Sequence, residues 1–355
     1  MKLTELLTKL ISYKTVSGNH TEVKKAFDFI KKYLGKDFYF KDFCFNGFYS
    51  LLISNTKELN NFDVVFNGHI DVVSADDKDF VTKTDNDKMY GRGTIDMKGQ
   101  IACILHILKN TTLDKHVGVV ITSDEELGGH NGAEKIVQEY PIKAKLVIVP
   151  DAGENFTFVD SEKALLQLDI VATGLSAHAS TPDEGRNAVL ECIDIYSDLC
   201  KQYELDIYSP VNDNISINLS ILNSGDLYNK VPALANMSLD IRYSGIKRKD
   251  LERNIDNICK KHNAIYNIHN AVNEFKCDLK NSEVVKFIKS CEKTLGRKLE
   301  HIKVNGASDI GYFASLNIPC VSINPEGYNL HSENEHIILS SLDKFQQMLI
   351  EYLIG

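Results

Sequence analysis

The chain first offers chemistry where a histidine and an aspartate close an apolar run: "FNGHIDVVSADD" (66–77) carries His69 and Asp71. Asp96 follows in "MYGRGTIDMKGQ" (89–100), just before a stretch with helical spacing. "SDEE" (123–126) follows the apolar run "VGVVIT" and sets Glu125 beside Glu126. Asp151 follows "KLVIVP" (145–150), and His331 ends the strand-and-turn segment "VSINPEGYNLH" (321–331). Imidazole nitrogens and carboxylate oxygens are the donors that suit zinc and, more loosely, manganese or cobalt. One carboxylate shared by two ions makes a pair about 3.5–4 Å apart, able to activate water and polarise a carbonyl. Each feature alone has an ordinary alternative. HxD arises by chance, adjacent glutamates are commonly a solvated turn, and Asp151 could cap its own turn. His331, with His336 close by, could be a surface histidine, and Gly91, Gly93 and Gly99 could be turn glycines. What singles the set out is that each member lies beside an apolar strand.

The elements that must position these residues alternate. "TEVKKAFDFIKKYL" (21–34), "MKGQIACILHILKN" (97–110) and "GAEKIVQEY" (132–140) have helical spacing. "YSLLIS" (49–54), "DVVFNGH" (63–69), "VGVVITS" (117–123) and "KLVIVP" (145–150) read as strands, the last three almost wholly apolar. Fully apolar strands alternating with helices predict an α/β domain with a mainly parallel sheet. In such sheets ligands collect at the carboxyl ends of strands, where the candidate residues fall.

Near residue 162 the texture changes. "ALLQLDIVATG" (164–174), "NISINLSIL" (214–222) and "ANMSLDIRY" (235–243) alternate apolar and polar, as half-exposed strands do. Helices at about 187–203 and 247–262 and a strand at 264–270 complete a strand-helix-strand-strand-helix-strand order. That is the order of an open-faced, ferredoxin-like α+β sandwich. Residues 163–273 therefore read as a second domain inserted into a first made of 1–162 and 274–355. After residue 275 the α/β texture resumes, with "IPCVSI" (318–323) as a strand and a final helix from about 339.

With 355 residues, two domains are the natural expectation. A net charge of −9 disfavours nucleic acid as a partner. No run of about 18 apolar residues is present, so no membrane span is expected. The N-terminus reads as an amphipathic helix without a secretory signal's apolar core, which implies a cytoplasmic protein. The eight cysteines are scattered and form no CxxC, as expected of buried free thiols in a reducing compartment.

Taken together, "GHIDVV", "YGRGTIDMKG", "TSDEELGG", "GLSAHASTPDEGRNAV", "NKVP", "DIR", "GASDIGYF" and "HSENE" resemble a dizinc hydrolase family. It includes succinyl-diaminopimelate desuccinylase, acetylornithine deacetylase, aminoacylase, carboxypeptidase G and several di- and tripeptidases. The motifs occur in the family's order over nearly the whole chain. The resemblance implies a zinc-exopeptidase-like catalytic domain carrying an inserted lid that mediates homodimerisation. It implies two Zn2+, with Co2+ or Mn2+ as substitutes. His69 and Asp151 would bind the first ion, Glu126 and His331 the second, and Asp96 would bridge them. Glu125 would stay free of metal as general base, and Asp71 would hold the far nitrogen of His69. His178 of the lid would stabilise the oxyanion in the partner subunit's site. Asn229 and Arg242 would bind a substrate carboxylate or neighbouring oxygens, with Gly306, Ser308 and Asp309 lining the substrate pocket.

Substrates divide the family. Deacylases and carboxypeptidases tend to have glutamate as the first-site acid, and aminopeptidase-like members aspartate. Asp151 in "VPDAGENF" points to a dipeptidase or aminopeptidase, whereas the compact length, "YGRGTIDMKG" and "TSDEE" point to the desuccinylase and deacetylase branch. The balance of the resemblance favours an N-acyl-amino-acid deacylase, with a short peptide as the alternative substrate. A non-catalytic binding member would have lost Glu125 or a ligand, and none is lost.

Overall fold

The computed structural model describes residues 1–140 and 142–355. The chain divides into two compact units: Met1–Glu162 with Phe275–Val304 and Ser308–Gly355, and Lys163–Glu274 with Asn305–Ala307.

The first unit begins with α1 (Leu3–Ile11), α2 (His20–Leu34), β1 (Tyr39–Phe45), β2 (Phe48–Ser54) and β3 (Asn61–His69). It continues through β4 (Lys83–Asp85), β5 (Lys88–Tyr90), α3 (Lys98–Asn110), β6 (Val117–Thr122), α4 (Ala133–Glu139), β7 (Lys143–Ile148) and β8 (Thr157–Glu162). The second unit holds β9 (Ala164–Thr173), α5 (Ala188–Gln202), β10 (Ile215–Ser224), β11 (Leu234–Tyr243), α6 (Arg248–Lys261) and β12 (Ala264–Val272). The chain then returns to the first unit with β13 (Phe275–Lys276), α7 (Ser282–Leu295), β14 (Glu300–Val304), α8 (Ile310–Ala314), β15 (Cys320–Val321), β16 (Gly327–Tyr328), β17 (His336–Ile338) and α9 (Leu339–Ile354).

The central sheet runs β1-β2-β6-β3-β7-β15. Its pairings from β6 through β3 and β7 to β15 are parallel. β6 is buried along its whole length, as a strand covered on both faces must be. The edge formed by β1 and β2 is antiparallel, because Asn46 and Gly47 join them in a tight hairpin with Phe45 opposite Phe48. Both turn residues have positive φ, 49° and 89°, which asparagine and glycine tolerate best. Two smaller sheets, β13-β8-β14 and β16-β17-β5-β4, complete the unit.

In the second unit the strand order is β10-β11-β9-β12, all antiparallel. Leu166, Leu168 and Ile170 of β9 and Met237, Leu239 and Ile241 of β11 point to one face. Cys192, Ile195 and Leu199 of α5 and Leu251, Ile255 and Cys259 of α6 close over it. The opposite face carries the alternate polar residues, Asp169, Asp240 and Arg242 among them, as a period of two requires. No helix among the described residues is long and apolar enough to cross a membrane. All eight cysteines are free thiols, seven of them buried and Cys44 exposed.

Candidate active site

Three parallel strands end on one edge of the central sheet. β3 ends at His69 beside Thr122, the last residue of β6, and Phe66 of β3 lies beside Ile148, the last of β7. Glu125 and Glu126 form the first turn beyond β6, and Asp151 follows β7. Asp96 ends the loop from Gly91 that leads into α3, and His331 comes from the loop before β17. His331 is held in the left-handed region at φ 57°, a backbone state that non-glycine residues adopt mostly where the surroundings impose it.

The side chains converge. His69 Nδ1 lies 3.0 Å from the carbonyl oxygen of Asp71, so an N–H there donates and Nε2 faces the acids. Nε2 lies 3.0 Å from Asp96 Oδ1, 3.6 Å from Asp151 Oδ1 and 3.9 Å from Glu125 Oε2. His331 Nε2 lies 2.8 Å from Asp96 Oδ2 and 3.1 Å from Glu126 Oε2. Asp96 thus gives one oxygen to each imidazole, the disposition that a bridging ligand needs.

This donor set fits divalent cations. Ligands on a tetrahedral ion with bonds of about 2.0–2.2 Å stand roughly 3.3–3.6 Å apart, and the separations above scatter around that value. Ligand atoms of His69, Asp96 and Glu126, and of His69, Glu125 and Asp151, each group closely enough to share an ion. Glu126 Oε1 is buried without a partner, a costly state for a carboxylate that a cation would relieve.

The electrostatics tell the same story. Burial pulls the His69 imidazolium down, but Asp151, Asp71 and Asp96 outweigh it and hold the group well above its usual value. His331 is pushed up to about 10, chiefly by Asp96 and then Glu126. Burial lifts Asp96, yet His331 and His69 together bring it well below the carboxylate range. Burial pushes Glu125 well up, with Asp151 adding to it, and burial also raises Asp151. Too many acids share one dry edge for the two imidazoles to balance.

Asp71 does more than steady one ring. Its carboxylate accepts the N–H groups of Glu125 and Glu126, both at 3.3 Å, and the Ser17 hydroxyl at 2.8 Å. It therefore orients the glutamate turn as well as His69. Glu335 was not anticipated in any role. It is buried, pairs with Arg92 at 2.7 Å, and accepts the N–H groups of Gly93, Ile95 and Asp96 at 3.0, 3.1 and 3.3 Å. Those bonds hold the loop that presents Asp96, and Gln100 adds a 2.7 Å bond to the Ile95 carbonyl. The signal was present in "HSENEHII": an acid at the threshold of a strand, where a solvated charge has no room.

Ser308 is engaged rather than free. Its N–H and hydroxyl both donate to Glu162 at 2.9 Å. Burial pushes the Glu162 carboxyl up to about 8. Asp309 starts α8 and accepts from the Thr122 hydroxyl at 3.1 Å; burial, then Asp124, pushes it well up. A side chain at Gly129 would strike the Asp309 carboxylate, which accounts for glycine at the end of "TSDEELGG". Gly306 belongs to the segment that groups with the second unit.

The remaining candidates lie in the second unit. His178 is exposed, its Nδ1 bonded to the Ser180 hydroxyl at 2.7 Å. The Ala179 N–H donates to the Asn229 carbonyl at 3.0 Å, so His178 and Asn229 sit on adjoining backbone. Arg242 and Asp240 share a face of β11, where Arg242 Nε and Nη2 bond the Asp240 carboxylate at 2.7 and 3.1 Å. That leaves the Nη1 amino group and the second N–H of Nη2 for a ligand.

A sequence model described as peptidase family M20/M25/M40 matches residues 65–354. The chain belongs to this family of amide-bond hydrolases. It is 29% identical to a [LysW]-lysine/[LysW]-ornithine hydrolase from Sulfurisphaera tokodaii, over 99% of this chain and 94% of that protein. It is 25% identical to a succinyl-diaminopimelate desuccinylase from Rickettsia bellii, over 82% and 81% of the two chains. An M20 family metallo-carboxypeptidase from Sulfolobus solfataricus has the same fold, with a TM-score of 0.82 at 20% identity, covering 99% and 98%.

Proposed function

We propose that this protein is a dizinc hydrolase that releases an amino acid from an N-acyl amino acid, in the manner of a succinyl- or acetyl-diamino-acid deacylase. The observation that carries the reading is the divergence of two adjacent glutamates. Glu126 turns to His331 and Asp96, while the Glu125 carboxylate makes no hydrogen bond among the described residues. We read Glu126 as the acid that would hold metal and Glu125 as the neighbour that would move a proton.

His69, Asp96 and Asp151 would hold one ion, and Asp96, Glu126 and His331 the other, with cobalt or manganese able to substitute for zinc. When bound, such cations supply the positive charge that polarises an amide carbonyl and acidifies water. Glu125 takes the proton of the attacking water at its carboxylate and passes it to the leaving nitrogen. Asp71 keeps the His69 ring and the glutamate turn in place. His178 would donate to the oxyanion, and Asn229 and Arg242 would bind the substrate's oxygens. Exposed Leu227, Tyr228 and Leu234 in the second unit suit homodimerisation through that unit.

Both curated relatives above carry names of enzymes that act on amino-acid derivatives, which supports deacylation. Asp151 favours the second reading, a dipeptidase or aminopeptidase. The two are separated by amine release from the zinc- or cobalt-loaded protein on N-succinyl and N-acetyl diamino acids and on dipeptides with free N-termini. Turnover of the acylated set alone is expected. Turnover of the dipeptides alone would overturn the proposal in favour of the peptidase.

A further inference from the structure

In the second unit, one row of side chains crosses three strands on the face turned away from the two helices. The register sets Asn270 of β12 opposite Gln167 of β9, and Gln167 opposite Asp240 of β11. Arg242 follows Asp240 by two residues and so shares its face. The row is hydrogen-bonded from end to end. The Asn270 amide donates to Gln167 Oε1 at 3.3 Å, and Gln167 Nε2 donates to Asp240 Oδ2 at 2.7 Å. Asp240 then accepts the Arg242 Nε–H on Oδ1 at 2.7 Å and an Nη2–H on Oδ2 at 3.1 Å. A carboxylate can only accept, so it fixes which end of the Gln167 amide faces it. Asn270, at the far end, is only 4% exposed, which roots the row in the sheet.

A guanidinium has two edges that match a carboxylate: Nε with Nη2, and Nη1 with Nη2. Asp240 occupies the first. The second is left, because Nη1 has no partner among the described residues and is not enclosed, and Nη2 keeps one N–H. With 29% of the Arg242 side chain and 21% of the Asp240 side chain exposed, the pair is a latch that can open. It has two opposite effects on an incoming anion. The Asp240 charge lessens the pull of the guanidinium. Its two bonds hold a long side chain in place beforehand, so that binding removes less rotamer freedom. Water at a part-exposed site screens the first effect and not the second.

We propose that Asp240, backed by Gln167, is the positioning residue for carboxylate recognition. It aims the free edge of Arg242 so that a substrate carboxylate is met end-on by two parallel N–H groups. The proposal rests on the reading of Arg242 as a group that binds the substrate's carboxylate. A carboxylate fills both positions, whereas the carboxamide of the same compound turns its NH2 on one of the two N–H groups. The row therefore selects a free carboxylate against its amide.

The test is a mutant cycle on the metal-loaded protein, with the substrate set that the amine-release assay selects. Asp240→Asn is nearly isosteric and should raise KM about tenfold, the worth of one charge-assisted hydrogen bond. The turnover number should be kept, because binding is lost equally in the ground and transition states. Gln167→Met alters no charge and should raise KM about threefold. Neither change should matter once Arg242→Ala is present. An unchanged or lower KM in Asp240→Asn would overturn the proposal, and so would an increase that persists beside Arg242→Ala. Arg242→Ala with an unchanged KM would instead remove the reading of Arg242 itself, and the proposal falls with it. A readout that needs no substrate is the Arg242 Nε–H resonance of [15N]arginine-labelled protein, identified by its loss in Arg242→Lys. Slow exchange with water is expected in the parent and fast exchange in Asp240→Asn. Fast exchange in the parent would show that no latch forms.

Discussion

The two units hold their candidate residues in opposite ways. In the first, His69, Asp71 and Asp96 are buried, and partners far away in sequence fix the loops that carry the set: Asp71 bonds the Glu125–Glu126 turn, and Glu335 the Asp96 backbone. In the second, His178 is held by Ser180 and Arg242 by Asp240, each two residues away on the surface. Long-range anchoring yields a preorganised centre, whose geometry costs nothing to assemble at the moment of reaction. Local anchoring yields groups that can be redirected. On the proposed reading, the contrast gives the chemistry to the first unit and an adjustable recognition to the second.

The strongest way to break that assignment is Glu125→Gln. Proton transfer by a placed carboxylate contributes about 10²–10⁴ in rate, so turnover should collapse while metal content by elemental analysis stays unchanged. Metal loss instead would make Glu125 a ligand. Next comes His178→Ala: if His178 is the oxyanion donor proposed, kcat should fall by about 10² with zinc retained. A fully active variant would confine catalysis to the first unit. Glu335→Gln is expected to be milder at the chemical step. Its amide NH2 would replace one oxygen and face two of the four donors, either Arg92 and Gly93 or Ile95 and Asp96, letting the Asp96 loop relax and weakening metal affinity about 10–100-fold, as a competing chelator would report. Unchanged affinity would show that the loop holds itself.

The smallest effect concerns stability. Glu162 is raised to about 8 in the folded protein against an ordinary 4.5. Between those values the unfolded chain releases a proton that the folded chain keeps, so stability falls as pH rises and levels off above about 8. Glu162→Gln removes this slope: its melting temperature should gain on the parent's from pH 5 to pH 8. Parallel melting curves at all pH values would show that Glu162 is ionised throughout.

How much was legible follows from the same contrast. Apolar strands announce themselves, so the strand ends, and with them His69, Glu125, Glu126 and Asp151, could be found by reading. The alternating strands of the second unit were as plain. β1 was missed although "CFNGFYS" carries an Asn-Gly hairpin signal, because "YFKDFCF" mixes charges with aromatics. The sheet β16-β17-β5-β4 went unread because its strands span only two or three residues. Glu335 escaped for a deeper reason. A residue whose work is to hold another loop's backbone leaves no periodicity, and only the fold shows which N–H groups it meets. Arg242 shows the converse: an arginine in "DIR" looks free in one dimension, while the strand's period of two turns it onto Asp240.

The clamp of Glu335 on the Asp96 loop also has a consequence for synthesis. A chain emerging N-terminus first displays His69, Asp96, Glu125, Glu126 and Asp151 long before Glu335 and His331 exist. Between them the ribosome must deliver the whole second unit. The acidic edge is therefore the last part of the molecule to be finished, although most of it is made early. On the proposed reading, a chain cut short before residue 331 would lack one of the metal-holding groups and so have no working centre to misuse.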